Sequence, residues 1–239
     1  VSKTILLLED DQKFRALLLP VLKARGYRVL EAGRVQDATK LLAERPDLIV
    51  VDGLLPDGDG TVWIKKLPES SRKIPIVFIS AFWKSLKDHQ MLQRELNVAL
   101  IVHKPVTPES LVEQLDRLLG DRAAPALNPE LQAEMDKLHV EYERELPAKL
   151  EELRRAIRVA RANPLEDKLR REARSLAHRL AGTAGSYGFP DESTAAAVIE
   201  AQAIAAATAK PSEIDKHWIL AETTVNEALQ VRFGKPVPS

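Results

Sequence analysis

Two architectures in tandem are predicted for this chain: an α/β half built as a doubly wound five-stranded parallel sheet, then an all-α half built as an antiparallel helical bundle. Three observations predict them. Short apolar runs alternate with amphipathic stretches through the first half. Beyond residue 120 no strand-like run recurs, and the sequence turns to Ala, Leu, Glu and Arg, the residues of stable helices. Between the halves, residues 121–129 carry Pro125 and Pro129 and little periodic apolar content, which reads as a linker. The expected divisions are residues 1–120, a linker over 121–129, and a four-helix bundle over 130–233.

The elements follow in order. Ile5-Leu6-Leu7-Leu8 is a near-continuous apolar run, as expected of a strand covered on both faces. Phe14, Leu17, Leu18, Val21 and Leu22 share one face of a helix, and Gly26 marks its end. Tyr27-Arg28-Val29-Leu30 supplies the second strand; Leu48–Val51, Ile76–Ile79 and Leu100–Val102 supply the other three. Thr107-Pro108-Glu109 opens the last helix of this half, with Thr107 as cap and Pro108 at the first helical position. In the second half, breaks are expected near Pro147, at Asn163-Pro164, at Gly188-Phe189-Pro190 and at Lys210-Pro211. Pro147 is the weakest of these, because Leu146, Leu150, Leu153 and Ile157 keep a helical period across it.

Bulk properties narrow the function classes. Lys+Arg and Asp+Glu both number 35 in 239 residues, so no overall basic field calls for nucleic acid or anionic lipid. With no cysteine there is neither disulfide nor thiolate-metal site. No apolar run reaches the roughly 18 residues of a membrane span, and no signal-peptide pattern opens the chain, so a cytoplasmic location is expected. The chain begins at Val1 without a start Met, as expected of a processed or excised piece of a longer protein.

In a doubly wound sheet, ligands sit beyond the carboxyl ends of the strands. Glu9 and Asp10 follow the first apolar run, Asp52 the third, Ser80 the fourth and Lys104 the fifth. Four strand ends thus deliver polar groups to one edge. Three carboxylates in one place repel, and a hard divalent cation such as Mg²⁺ relieves them while leaving room for phosphate oxygens. In such a site the Asp52 carboxylate can attack phosphorus. Lys104 can pair with Asp52 or with phosphoryl oxygens, and the Ser80 hydroxyl can donate to one. Asp11 reads as a loop or cap residue, and His103, alternating away from Lys104, as a surface residue.

These residues resemble the receiver domain of two-component response regulators. The resemblance covers about residues 2–120 and rests on Ile5-Leu6-Leu7-Leu8-Glu9-Asp10-Asp11, on Pro46-Asp47-Leu48-Ile49-Val50-Val51-Asp52 with Leu55-Pro56-Asp57-Gly58-Asp59-Gly60 after it, and on Lys104-Pro105. It implies strand order 2-1-3-4-5, Asp52 as phosphoacceptor, and Mg²⁺ held by Glu9, Asp10, Asp52 and the Leu54 carbonyl. It also implies Ser80 and Lys104 as sensors of the phosphoryl group and a cis peptide before Pro105. Two departures stand out: Ile101 occupies a place where the family commonly has Tyr or Phe, and Glu95-Leu96-Asn97-Val98 replaces the usual segment before the fifth strand.

The second site is His178. On one helix over 165–187 it shares a face with Arg171, Arg174, Gly182 and Gly185, while Leu169, Leu176 and Leu180 fall elsewhere. The imidazole is therefore expected to point outward, beside two guanidinium groups and a glycine notch. A neutral imidazole is a competent nucleophile at neutral pH. The run His178-Arg179-Leu180-Ala181-Gly182-Thr183-Ala184-Gly185 resembles the histidine-phosphotransfer (HPt) domain over about residues 128–232, with Ala181 where a lysine is often found. That resemblance implies His178 as a phosphohistidine. His89, His139 and His217 have no such context.

The expected function is a phosphorelay intermediate without a kinase domain of its own. Asp52 would accept a phosphoryl group, and His178 would exchange one with receiver aspartates. The expected partners are a sensor histidine kinase and another receiver or HPt protein, with no membrane and no nucleic acid bound directly. The rivals are a binding switch in which only Asp52 turns over, a scaffold in which neither site does, and the C-terminal piece of a hybrid sensor kinase.

Overall fold

The computed structural model describes residues 2–80, 96, 98–120 and 129–234. The chain divides into two compact units, residues 1–138 and 139–239.

The first unit runs β1 (Thr4–Leu8), α1 (Gln12–Ala24), β2 (Arg28–Ala32), α2 (Val35–Leu41), β3 (Leu48–Asp52), α3 (Gly60–Lys65), β4 (Ile76–Ser80), β5 (Val98–His103) and α4 (Pro108–Leu119). The strands form one parallel sheet in the order β2-β1-β3-β4-β5, the doubly wound order expected. The three central strands, β1, β3 and β4, are buried at every position. Their side chains alternate between two cores. Leu7, Val50 and Val77 join Phe14, Leu18 and Leu22 of α1 and Leu111 and Leu115 of α4. Leu6, Ile49, Val51 and Phe78 join Ala38 of α2 and Trp63 and Ile64 of α3. Cover on both faces is why these strands read as unbroken apolar runs.

Local chemistry sets the element ends. Asp11 caps α1, its Oδ1 accepting from the Lys13 N–H at 2.8 Å, and Gly26 follows the helix at φ 82°. Thr107 caps α4 by accepting from the Ser110 N–H at 3.3 Å. The ends of α1 and α4 meet β2 in a buried polar knot, where Arg25 pairs with Asp116 and the Tyr27 hydroxyl donates to Asp116 Oδ1 at 2.6 Å. The Lys104–Pro105 peptide is cis. His89 and residues 121–128 of the expected linker lie outside the described residues.

The helical part consists of α5 (Pro129–Ala162), α6 (Asp167–Ser186), α7 (Pro190–Thr208) and α8 (Pro211–Phe233). Three of the four expected breaks separate these helices. The fourth does not: Pro147 lies inside α5. Proline removes one internal hydrogen bond, but Leu146, Leu150, Leu153 and Ile157 are all buried and bind both sides of it to the core. Gly188, at φ 83°, turns the chain from α6 into α7. Tyr142 stacks on Tyr187 with ring centroids 4.2 Å apart, and Phe189 lies beside them under the Arg232 guanidinium.

Candidate functional site

Parallel strands ending together bring the acidic residues of the first unit to one place. Glu9 and Asp10 leave β1, Asp52 ends β3, and each contributes a ligand atom to a group in which all lie within 4.8 Å of one another. Glu9 and Asp52 are 2% exposed. From the end of β5, the Lys104 ammonium reaches between them, 2.7 Å from Glu9 Oε2 and 2.8 Å from Asp52 Oδ2, above the Phe14 ring. The lysine therefore bridges two carboxylates, where the sequence suggested Asp52 alone.

The electrostatics follow from burial. Desolvation pushes the Glu9 carboxyl well above its ordinary value, the Asp52 charge pushes it further, and Lys104 pulls the other way without prevailing. Burial alone would depress Lys104, but Asp52 and Glu9 together hold its ammonium above the ordinary lysine value. One ammonium thus underserves three carboxylates. That deficit and the all-oxygen donor set fit a hard divalent cation such as Mg²⁺.

Two glycines and a serine shape the floor of the site. Ser80 ends β4, is buried, and lies against the peptide after Asp52: a Cβ on Gly53 would stand 3.0 Å from the Ser80 hydroxyl oxygen. Gly60, the first residue of α3, lies so close to β3 that a Cβ there would stand 2.2 Å from the Asp52 carbonyl oxygen. The Leu54 N–H turns toward Asp52, 3.4 Å from its Oδ1. His103 is exposed, pointing away from Lys104.

In the second unit His178 does not point outward. It is 2% exposed, and its Nδ1 lies 3.0 Å from Glu200 Oε1 and 3.2 Å from Oε2, the carboxylate being 1% exposed on α7. Arg174 stands 3.7 Å from the same Glu200 oxygen. Of the face expected around the imidazole, only Arg171 is fully exposed, and Gly182 is buried. The physical reason is an alanine stripe. Ala173, Ala177, Ala181 and Ala184 lie on the buried side of α6, together with Leu180, Gly182 and Thr183, and the Ser193 hydroxyl donates across to the Ala181 carbonyl at 2.5 Å. Small side chains let α6 and α7 approach closely, and His178, next to Ala177 and one turn before Ala181, is drawn into the seam.

Glu200 is the residue that sequence reasoning missed. A signal for it was present: Ala196, Ile199, Ala203 and Ala206 mark the buried face of α7, and Glu200 falls among them. A lone charge on a buried face needs a partner. His139 instead stacks on Phe189, and His217 Nδ1 meets Gln202 at 2.8 Å.

The chain matches the family model of the response regulator receiver domain over residues 5–116 and that of the Hpt domain over residues 137–230. The phosphate regulon transcriptional regulatory protein PhoB of Pseudomonas aeruginosa is 33% identical over 133 residues, which are 52% of this chain and 57% of PhoB. The transcriptional regulatory protein CssR of Bacillus subtilis is 31% identical over 119 residues, 50% of this chain and 52% of CssR. The chain thus spans just over half the length of these relatives. Among solved structures, the non-phosphorylated HemR receiver domain of Leptospira biflexa is 27% identical, with a TM-score of 0.46, covering 53% of this chain and all of that one. No helix among the described residues is long and apolar enough to cross a membrane.

Proposed function

We propose that this chain, a response regulator receiver domain joined to an Hpt domain and so a two-component phosphorelay protein, handles the phosphoryl group at two residues: Asp52 accepts it, and His178 exchanges it with receiver aspartates. The observation that carries the reading is the convergence of Glu9, Asp10 and Asp52 at the ends of parallel strands, with the Lys104 ammonium between Glu9 and Asp52. Glu9, Asp10, Asp52 and the Leu54 carbonyl would hold Mg²⁺, which when bound supplies positive charge against phosphoryl oxygens. The Asp52 carboxylate forms the O–P bond as the donor's bond to phosphorus breaks. Lys104 turns from its carboxylate pairs to the new oxygens, and the Ser80 hydroxyl donates to another.

His178 has to be uncovered before a receiver site can reach it, since the ring is buried. The partners that fit are a sensor histidine kinase upstream and another receiver or HPt protein downstream. The domain limits we propose are residues 1–120 and 130–233. That same burial favours one alternative, a binding switch in which Asp52 phosphorylation changes a docking surface on the bundle and His178 never turns over.

Incubation of the full chain with a small acyl phosphate, or with a phosphorylated kinase, in Mg²⁺ tests both. Base-labile label lost in Asp52→Asn marks Asp52, and acid-labile label lost in His178→Gln marks His178. Label that depends on Asp52 and never on His178 selects the switch. Absence of any Mg²⁺-dependent label defeats both.

A further inference from the structure

The second unit holds a cavity of about 640 Å³ that includes neither His178 nor Glu200. Its charged wall is Glu143 of α5, Asp191 and Glu192 of α7, and Glu227 and Arg232 of α8, so four carboxylates face one guanidinium. Arg232 is already shared: its Nε lies 3.4 Å from Glu192 Oε1, a second nitrogen lies 3.8 Å from Glu143 Oε1, and the group sits over the Phe189 ring. Glu192 is 3% exposed, and its Oε2 has no hydrogen-bond partner among the described residues. The first turn of a helix favours acidic side chains, which accounts for Asp191 and Glu192 at the start of α7. It does not account for a buried carboxylate oxygen left without a donor, which is costly in any protein interior.

We propose that this cavity binds an aliphatic diamine or polyamine, one ammonium donating to Glu192 Oε2 and another pairing with Glu227. A single metal ion does not suit the wall. Among the described residues, the acidic side chains gathered closely enough to share one ion are Glu9, Asp10 and Asp52, and none of the four carboxylates here joins such a group. A longer cation suits it better, because its charges are spaced and its N–H groups are the donors that Glu192 lacks. The apolar part of the wall takes the methylenes. Ala228 and Val231 share a face of α8 with Glu227, at offsets of one and four, and Ala195 lies on α7. Val231 is 87% exposed, a large apolar side chain that an alkyl chain in the cavity would cover. The volume falls within the usual range of small-molecule sites. Four carboxylates against Arg232 leave three negative charges when all are ionised, which draws a multiply charged cation over a singly charged one.

The test is a ¹H–¹⁵N NMR titration of the full chain with putrescine and with spermidine, in about 0.15 M salt to screen loose surface attraction. Excess Mg²⁺ is added first, to occupy acidic sites elsewhere, and should leave the amides of residues 191–195 and 224–232 in place. Either amine should then shift those amides saturably. Butylamine, with one ammonium, should bind on the order of 10-fold more weakly than putrescine, as should putrescine to Glu192→Gln, which keeps the shape of the wall and removes its charge. The proposal is overturned if those amides do not respond saturably to either amine, if Mg²⁺ or butylamine moves them as readily, or if Glu192→Gln binds putrescine as wild type does. Should Glu192→Gln fail to fold, the preference of wild type for putrescine over butylamine decides alone. No phosphodonor enters the titration, so its outcome is independent of the relay reading.

Discussion

Replacing Gly60 by alanine sets two physical effects against each other. Gly60 opens α3, where alanine should help the helix by up to about 1 kcal/mol. The structure opposes this. The new Cβ would stand 2.2 Å from the Asp52 carbonyl oxygen, 3.2 Å from its carbonyl carbon and 3.2 Å from Val51 Cγ2. Carbon–oxygen contacts relax near 3 Å, so about 0.8 Å must be found by moving backbone on either side, and no side chain can swing away. Overpacking of this kind costs about 1–3 kcal/mol, and a backbone clash falls at the upper end. We expect a net loss of about 2 kcal/mol. With a urea slope of about 1–3 kcal/mol/M, the unfolding midpoint of the first unit should fall by about 0.7–2 M. Hydrogen exchange of the β1–β3 peptides across a urea series reads that unit separately. Gly58→Ala is the control, since its Cβ would meet only Val35 Cγ2 at an ordinary 3.5 Å, and it should stay within about 0.5 kcal/mol of wild type. If Gly60→Ala matches Gly58→Ala, or gains stability, the close approach of α3 to β3 is wrong.

Further outcomes follow from the same contacts. Glu9→Gln removes a buried charge whose carboxyl burial holds well above its ordinary value of 4.5. A carboxyl raised by folding contributes its stability below that ordinary value and loses it as pH climbs through the folded one. In EDTA the variant should therefore gain on wild type from about pH 4.5 upward, increasingly toward neutrality, and lose Mg²⁺ affinity; urea midpoints across pH and metal titration measure these. Asp116→Ala leaves the Arg25 guanidinium buried without its carboxylate and should cost about 3–5 kcal/mol, whereas Tyr27→Phe, which deletes one hydrogen bond, should cost about 1 kcal/mol; urea unfolding of each resolves the two. Gly188→Ala puts a Cβ at φ 83°, 3.1 Å from the His139 ring, and should lower stability of the second unit by about 1–2 kcal/mol, measured by exchange of the α6 and α7 amides.

The sheet could be read from sequence because its physics is local and repetitive. Runs such as Leu48–Val51 are apolar at every position, as two-sided burial requires, and Pro108 and Gly26 sit where backbone geometry asks for them. The acidic cluster was readable for a related reason: a parallel sheet sends every strand end to one edge, so order along the chain becomes convergence in space. The setting of His178 was not readable. A helical wheel ranks faces by hydropathy, and it gave Leu169 and Leu176, both only half buried, more weight than the alanine stripe beside His178. Alanine contrasts weakly with polar residues, yet its small size is what brought α7 against the imidazole. At Pro147 the helical period proved the better guide, because local breaker chemistry lost to the buried side chains of Leu146 before it and Leu150, Leu153 and Ile157 after it.

The tethered ammonium at the end of β5 also fixes the charge of the acidic pocket. Three carboxylates set against Lys104 leave two negative charges when all are ionised, the number one divalent ion cancels. A monovalent ion leaves such a pocket half compensated, and a trivalent one overshoots. With all three carboxylates ionised, the resident lysine would thus match the pocket's charge to a divalent visitor before any coordination bond is made.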